Sequence, residues 1–359
     1  MKSHLNEDDI LELLNDININ ENELSDLELN DKDINQITTE VLNRIKNKKP
    51  RRKKWMIAAS IGTILVVLFL GRPVIAAISS KIFENNKDIK KAVENNYVQK
   101  LDEKVAYDNG VKIELTDVIL DKRKLALSFK VKFKDKKLVN NIKLINLDLK
   151  IEDENGKIIY GKISSQEDAN KQVIQGGKIT NWNYEVLNDD EGTLRYDFVL
   201  SSIDVDIPTL NKMNIDIEKI LYADHLNVKS EEDVEKIDGL WNIDVDLDSK
   251  FKEENKIVFR YENINDEVKI ISAESNPTGY VIKFTTPPNT DINRKEGISL
   301  VSINGSINNA DSMFRNTDYI KGISTYTVEF NISTFDDLND LVFIVKNYNG
   351  EDIKIKLIK

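Results

Sequence analysis

"VKIELTDVILDKRKLALSFKVKF", residues 111–133, sets two runs of near-alternating apolar residues on either side of a polar turn, Asp121-Lys122-Arg123-Lys124. A period of two sends successive side chains to opposite faces of an extended chain, and the branched and aromatic residues used here fit a pleated surface. Asp108-Asn109-Gly110 stands just upstream, and Asn-Gly between apolar runs is a strong hairpin signal. The stretch is therefore read as β-structure. The same rhythm continues in "LINLDLKIE" (144–152) before the turn "DENG" (153–156), then "ITNWNYEVL" (179–187), "TLRYDFVLS" (193–201) and "MNIDIEKILY" (213–222). A polar, acidic stretch, "NVKSEEDVEKIDG" (227–239), interrupts it. A second set follows: "WNIDVDL" (241–247), "KIVFRYEN", "VKIISAES", "GYVIKFTT", "ISLVSING", "STYTVEFN", "LVFIVKN" and "DIKIKLI". Strands at this spacing predict two antiparallel β-sandwich domains, 101–228 and 241–359, joined by a linker at 229–240.

Upstream of the strands the pattern changes twice. From Trp55 to Ile78 only Arg72 is charged, and a helix of that length reaches about 36 Å, enough for a hydrocarbon core of about 30 Å. This predicts a single transmembrane helix over 55–78. The Gly71-Arg72-Pro73 break ends the span near Gly71, because proline suits a first helical turn and not an interior one. A buried core helix is the poorer reading, since the apolar residues cover every face. A cleaved signal peptide is poorer too, because more than 50 residues precede the run. Arg51, Arg52, Lys53, Lys54 and Trp55 at one end and Arg72 at the other are the expected membrane-anchoring residues, touching lipid headgroups. Eight cations and no acid between Arg44 and Lys54 place the N-terminus in the cytoplasm and the C-terminus outside the cell.

The arm before the span, 1–54, opens with twelve acids against two lysines up to residue 43. Ile10, Leu13, Leu14 and Ile17 recur at helical spacing behind Asn6, a fitting N-cap. Ile34, Ile37, Val41 and Ile45 share the face of a second helix. Helices this short are marginal alone. Either the arm is a disordered acidic tail, or these eight residues dock on a basic, partly apolar partner such as a DNA-binding regulator. Between span and strands, Ile82, Ile89, Val93 and Tyr97 give the 79–100 connector one apolar side, while its polar "SSKIFENNKDIKKAVENN" (79–96) is the expected point of proteolytic nicking, with envelope proteases as partners.

Chemistry-bearing patterns are few. The 359 residues carry a net charge of −11, no cysteine and two histidines, so a disulfide framework and a His/Cys zinc site have no ligands. His4 lies in the arm and His225 in a loop. No P-loop or GxSxG is found. In "DVDLDSKFKEEN", Asp244, Asp246 and Asp248 imitate a calcium loop, but Ser249 stands where glycine is needed and Asn255 where a bidentate glutamate is needed. No cofactor, metal, catalytic residue or direct nucleic-acid contact is expected, and the chain is not read as an enzyme.

The acidic arm, "KKPRRKKW" against one span, "RPVIAAI", the connector running into "NNYVQKLDEKVAYDNGVKIELTDVILDKRKLALSFKVKF" and the later "GLWNIDVDL" together resemble the membrane-anchored, anti-sigma-like proteins of Gram-positive bacteria, whose ectodomain is a domain of unknown function. The arm departs from their zinc-binding type in lacking His-x3-Cys-x2-Cys. The resemblance implies an extracytoplasmic-function sigma factor held by the arm and an envelope signal sensed by the β ectodomain. The alternative is a surface-anchored binding or structural protein of the cell envelope.

Overall fold

A computed structural model describes residues 83, 86–161, 170–174, 178–202, 205–253, 255–262, 267–287, 290, 292, 295–302, 305–346 and 352–359, all within one compact unit spanning 72–359. The arm, the basic cluster and the apolar run lie outside the described residues. Among the described residues, no helix is long and apolar enough to cross a membrane.

The described chain is mainly β. Helix α1 (Lys87–Glu94) leads into β1 (Gln99–Lys100), β2 (Val105–Asp108), β3 (Val111–Leu120) and β4 (Lys124–Phe133). After helix α2 (Lys137–Asn141) come β5 (Leu144–Asp153), β6 (Ile158–Tyr160), β7 (Lys178–Asn188), β8 (Thr193–Ser202), β9 (Lys212–Ala223) and β10 (Glu235–Asp246). Two antiparallel sheets result, one ordered β1-β3-β4-β8-β7 with β2 also on β3, the other β10-β9-β5-β6. Alternation explains both. In β9 and β10, Met213, Ile215, Trp241, Ile243 and Val245 enter the core while Asp244 and Asp246 stay exposed.

The second sandwich pairs β11 (Ile257–Val258), β13 (Lys269–Asn276), β14 (Gly279–Thr286), β18 (Ile323–Phe330) and β17 (Ser312–Asp318) in one sheet. The other holds β12 (Arg260–Tyr261), β20 (Ile353–Ile358), β19 (Leu341–Val345), β15 (Ile298–Val301) and β16 (Ile307–Asn309). Buried Phe259 sits between β11 and β12, where the chain crosses from one sheet to the other. Each sandwich has its own apolar core, one running from Phe83 to Phe251 and the other from Phe259 to Leu357.

Two expectations are corrected. The stretch from Trp241 does not open the second domain: β10 pairs along β9, Ile243 opposite Ile215 and Val245 opposite Met213, and completes the first sandwich. Its start, 235–239, is polar because β10 is an edge strand with that end exposed. The stretch 79–96, expected to be the point of nicking, is in its described part a helix packed on the first core. Ile89, Ala92, Val93 and Tyr97 are buried in the first core, as the helical spacing predicts, but Asp88 on the polar side is buried as well.

Candidate functional site

The polar side of α1 is covered because the helix sits in the seam between the sandwiches. On an eight-residue helix, Ile89, Ala92 and Val93 form one stripe and Asp88 and Lys91 another. The apolar stripe joins the first core. The charged stripe meets the second sandwich, where Lys91 pairs with Asp336 and Asp88 shares a lysine with Glu329.

That lysine is Lys124, at the start of β4. Its ammonium pairs with Asp88 and lies 2.7 Å from Glu329 Oε1, and Ser312 Oγ donates to Glu329 Oε2 at 3.1 Å. Relative exposure is 3% for Lys124, 0% for Asp88 and 3% for Glu329, so water screens none of them. Two carboxyl groups thus share one ammonium. Burial opposes the charge on Lys124, but Glu329 and Asp88 outweigh it and hold the ammonium well above the ordinary lysine range. Burial pushes the Glu329 carboxyl up, against the opposing pull of Lys124. Gly279 makes the approach feasible: a Cβ there would stand 3.1 Å from Glu329 Oε1 and 3.6 Å from Asp88 Oδ2.

Next to this cluster two hairpin turns meet tip to tip. Asp121 Oδ1 accepts from the backbone N–H groups of Arg123 (2.7 Å) and Lys124 (2.9 Å), shaping the β3–β4 turn. Its Oδ2 accepts from the backbone N–H (2.9 Å) and hydroxyl (2.7 Å) of Thr278, in the β13–β14 turn. Such turns are ordinarily solvated, yet Asn276 and Thr278 are buried here. Tyr97, just past α1, stacks edge-on to Phe251 at 5.4 Å and tilted to Phe335 of the second sandwich at 6.4 Å. Its hydroxyl donates to Leu120 O at 2.9 Å. A small cleft opens beside these residues, with Pro208 and Pro277 on its rim.

The start of the connector is held as well. Phe83 is buried with a left-handed φ of 60°, and its N–H donates to Asp197 Oδ2 at 3.3 Å. Asp197 also accepts from Ser128 Oγ at 2.6 Å and Arg195 Nε at 3.2 Å, and burial raises its pKa. Every sequence-predicted site residue, Ile10 to Ile45 for a partner and Arg51 to Arg72 for lipid, lies outside the described residues. None of the seam residues carries a motif. The one legible trace was Asp121-Lys122-Arg123-Lys124 as a turn.

The remaining candidates are ordinary surface. His225 is exposed against Asp224. Asp244 accepts from Asn214, Asp246 pairs with Lys212, and Asp248 caps a short 3-10 turn. No cluster of three or more His, Cys, Asp or Glu converges among the described residues.

Residues 46–133 match a family described as a domain of unknown function, DUF4179. The match runs from the basic cluster through the apolar run and α1 to the end of β4, taking in Asp88, Asp121 and Lys124 but not Thr278 or Glu329. No curated protein matches the chain. Among solved structures, a conserved domain protein from Bacillus anthracis aligns over 77% of this chain and 93% of its own, with 12% identity and a TM-score of 0.42.

Proposed function

We propose that this chain is a single-pass membrane regulator, an anti-sigma factor. Its cytoplasmic arm, 1–54, sequesters an extracytoplasmic-function sigma factor, and its β ectodomain responds to a state of the cell envelope. Ile10, Leu13, Leu14, Ile17, Ile34, Ile37, Val41 and Ile45 form the docking stripes, and the acids around them meet the basic DNA-binding surface of the sigma factor. Trp55 to Ile78 spans the membrane with the C-terminus outside, anchored by Arg51, Arg52, Lys53, Lys54, Trp55 and Arg72.

The observation that carries this reading is the placement of α1. Phe83, five positions after the apolar run, is already fixed on Asp197, and α1 is gripped by both sandwiches. An inert membrane anchor needs only a loose tether. Here the described chain nearest the apolar run is built into the β unit, and the DUF4179 match covers the apolar run, α1 and the first strands in one segment. The test is co-purification from membranes of the tagged full-length chain. A sigma factor retained by the wild type and lost when Leu13, Leu14 and Ile37 are replaced by Asp supports the reading. Recovery of no transcription factor points instead to a surface-anchored binding or structural protein.

A further inference from the structure

We infer that the seam is a latch, in which Lys124 couples the seating of α1 to the closure of the second sandwich on the first. The inference deepens the regulator reading by naming the regulated contact. Its test reads protection of α1 and not transcription, so the two can fail separately.

Asp88 and Glu329 reach the same ammonium from two different elements, α1 and β18, and the pairing needs all three elements in place. With the second sandwich drawn away, Asp88 and Lys124 face water, where such a pair contributes little. Lys91 then loses Asp336 and Tyr97 loses Phe335. What remains is an eight-residue helix held by Ile89, Ala92 and Val93, too short to persist without tertiary contacts. With α1 drawn away instead, Glu329 keeps Lys124 in a pocket opened to solvent, and the second sandwich loses the same contacts. Coupling of this kind is reciprocal: whatever parts the sandwiches loosens α1, and whatever pulls α1 loosens the seam. Asp121 and Thr278 set the line along which the seam opens, since their turns touch without continuous strand pairing.

The experiment is amide hydrogen exchange on the full-length chain in lipid nanodiscs. Glu329→Gln keeps the shape of the site and puts an amide in place of the carboxyl that meets both Lys124 and Ser312. It is expected to speed exchange in α1 by about tenfold, the scale set by weakening a buried charge contact, while β19, on the far sheet, exchanges as before. Because the native chain has no cysteine, Asp121→Cys with Thr278→Cys offers a specific tether. A short thiol cross-linker is expected to slow α1 exchange relative to the same variant left unlinked. The latch is overturned if α1 exchange is unchanged in Glu329→Gln, if β19 speeds up equally, or if the cross-link leaves α1 exchange unaltered.

Discussion

Asp121 holds two turns with one carboxylate, shaping its own through Oδ1 and gripping Thr278 of the other sandwich through Oδ2. Loss of the side chain leaves two buried donors of Thr278 without a partner. Asp121→Ala is expected to destabilise the β unit by about 2–4 kcal/mol and to split one thermal transition into two, because the sandwiches have separate cores. Calorimetry checks this, and a single undisplaced transition contradicts it.

Glu329 makes stability depend on pH in a definite direction. Its carboxyl faces Lys124 from β4, Asp88 from α1, Ser312 from β17 and the Gly279 backbone of β14. Burial raises its pKa, so the folded chain holds that proton more firmly than the unfolded chain does. The stabilisation is complete below the ordinary glutamate value of about 4.3 and is lost as pH rises through the raised value. The stability advantage of wild type over Glu329→Gln therefore shrinks as pH rises above the ordinary glutamate value, the direction the raised pKa sets. Denaturant titrations across the range read it out, and parallel curves count against it.

Gly239 lies under the indole of Trp241, where an added Cβ would come within 2.4 Å of the ring. Trp241 is fully buried, and its Nε1 donates to Val111 O at 2.9 Å. Gly239→Ala is expected to cost about 1–3 kcal/mol through overpacking, seen as a lower denaturation midpoint of the first sandwich. An unchanged midpoint means the ring relaxes freely.

The described connector is packed, so resting protein should resist cleavage between Asn86 and Tyr97. Ile89→Asp puts a charge into the first core and should make that stretch the earliest cut in limited proteolysis. Early cutting within it in the wild type would contradict the burial of α1.

Strands that face a core on one side were legible, because apolar alternation is the direct trace of burial: β3, β4, β5, β8, β9 and β14 match their expected stretches to within a residue at most ends. The edge strand β7 was legible as well, expected over 179–187 and found as Lys178–Asn188. β17, "SMFRNTD", was not, because only Ser312 of it is buried and it leaves little apolar alternation to read. The boundary near Trp241 was misread because the polar end of an edge strand resembles a linker. The seam was invisible for another reason. Asp88, Lys124 and Glu329 are charged residues in amphipathic elements, where sequence alone assigns them to solvent, and only the packing of two sandwiches on one helix buries them.

Inhibition of transcription tests the proposed docking of the arm on a sigma factor. The full-length chain in nanodiscs is added to RNA polymerase core enzyme and the candidate sigma factor, and initiation at that factor's promoter is measured. Near-complete inhibition by wild type is expected, relieved when Leu13, Leu14 and Ile37 are replaced by Asp, since three charges at an apolar interface cost several kcal/mol, about 100-fold or more in affinity. Undiminished initiation with excess wild-type protein would contradict it.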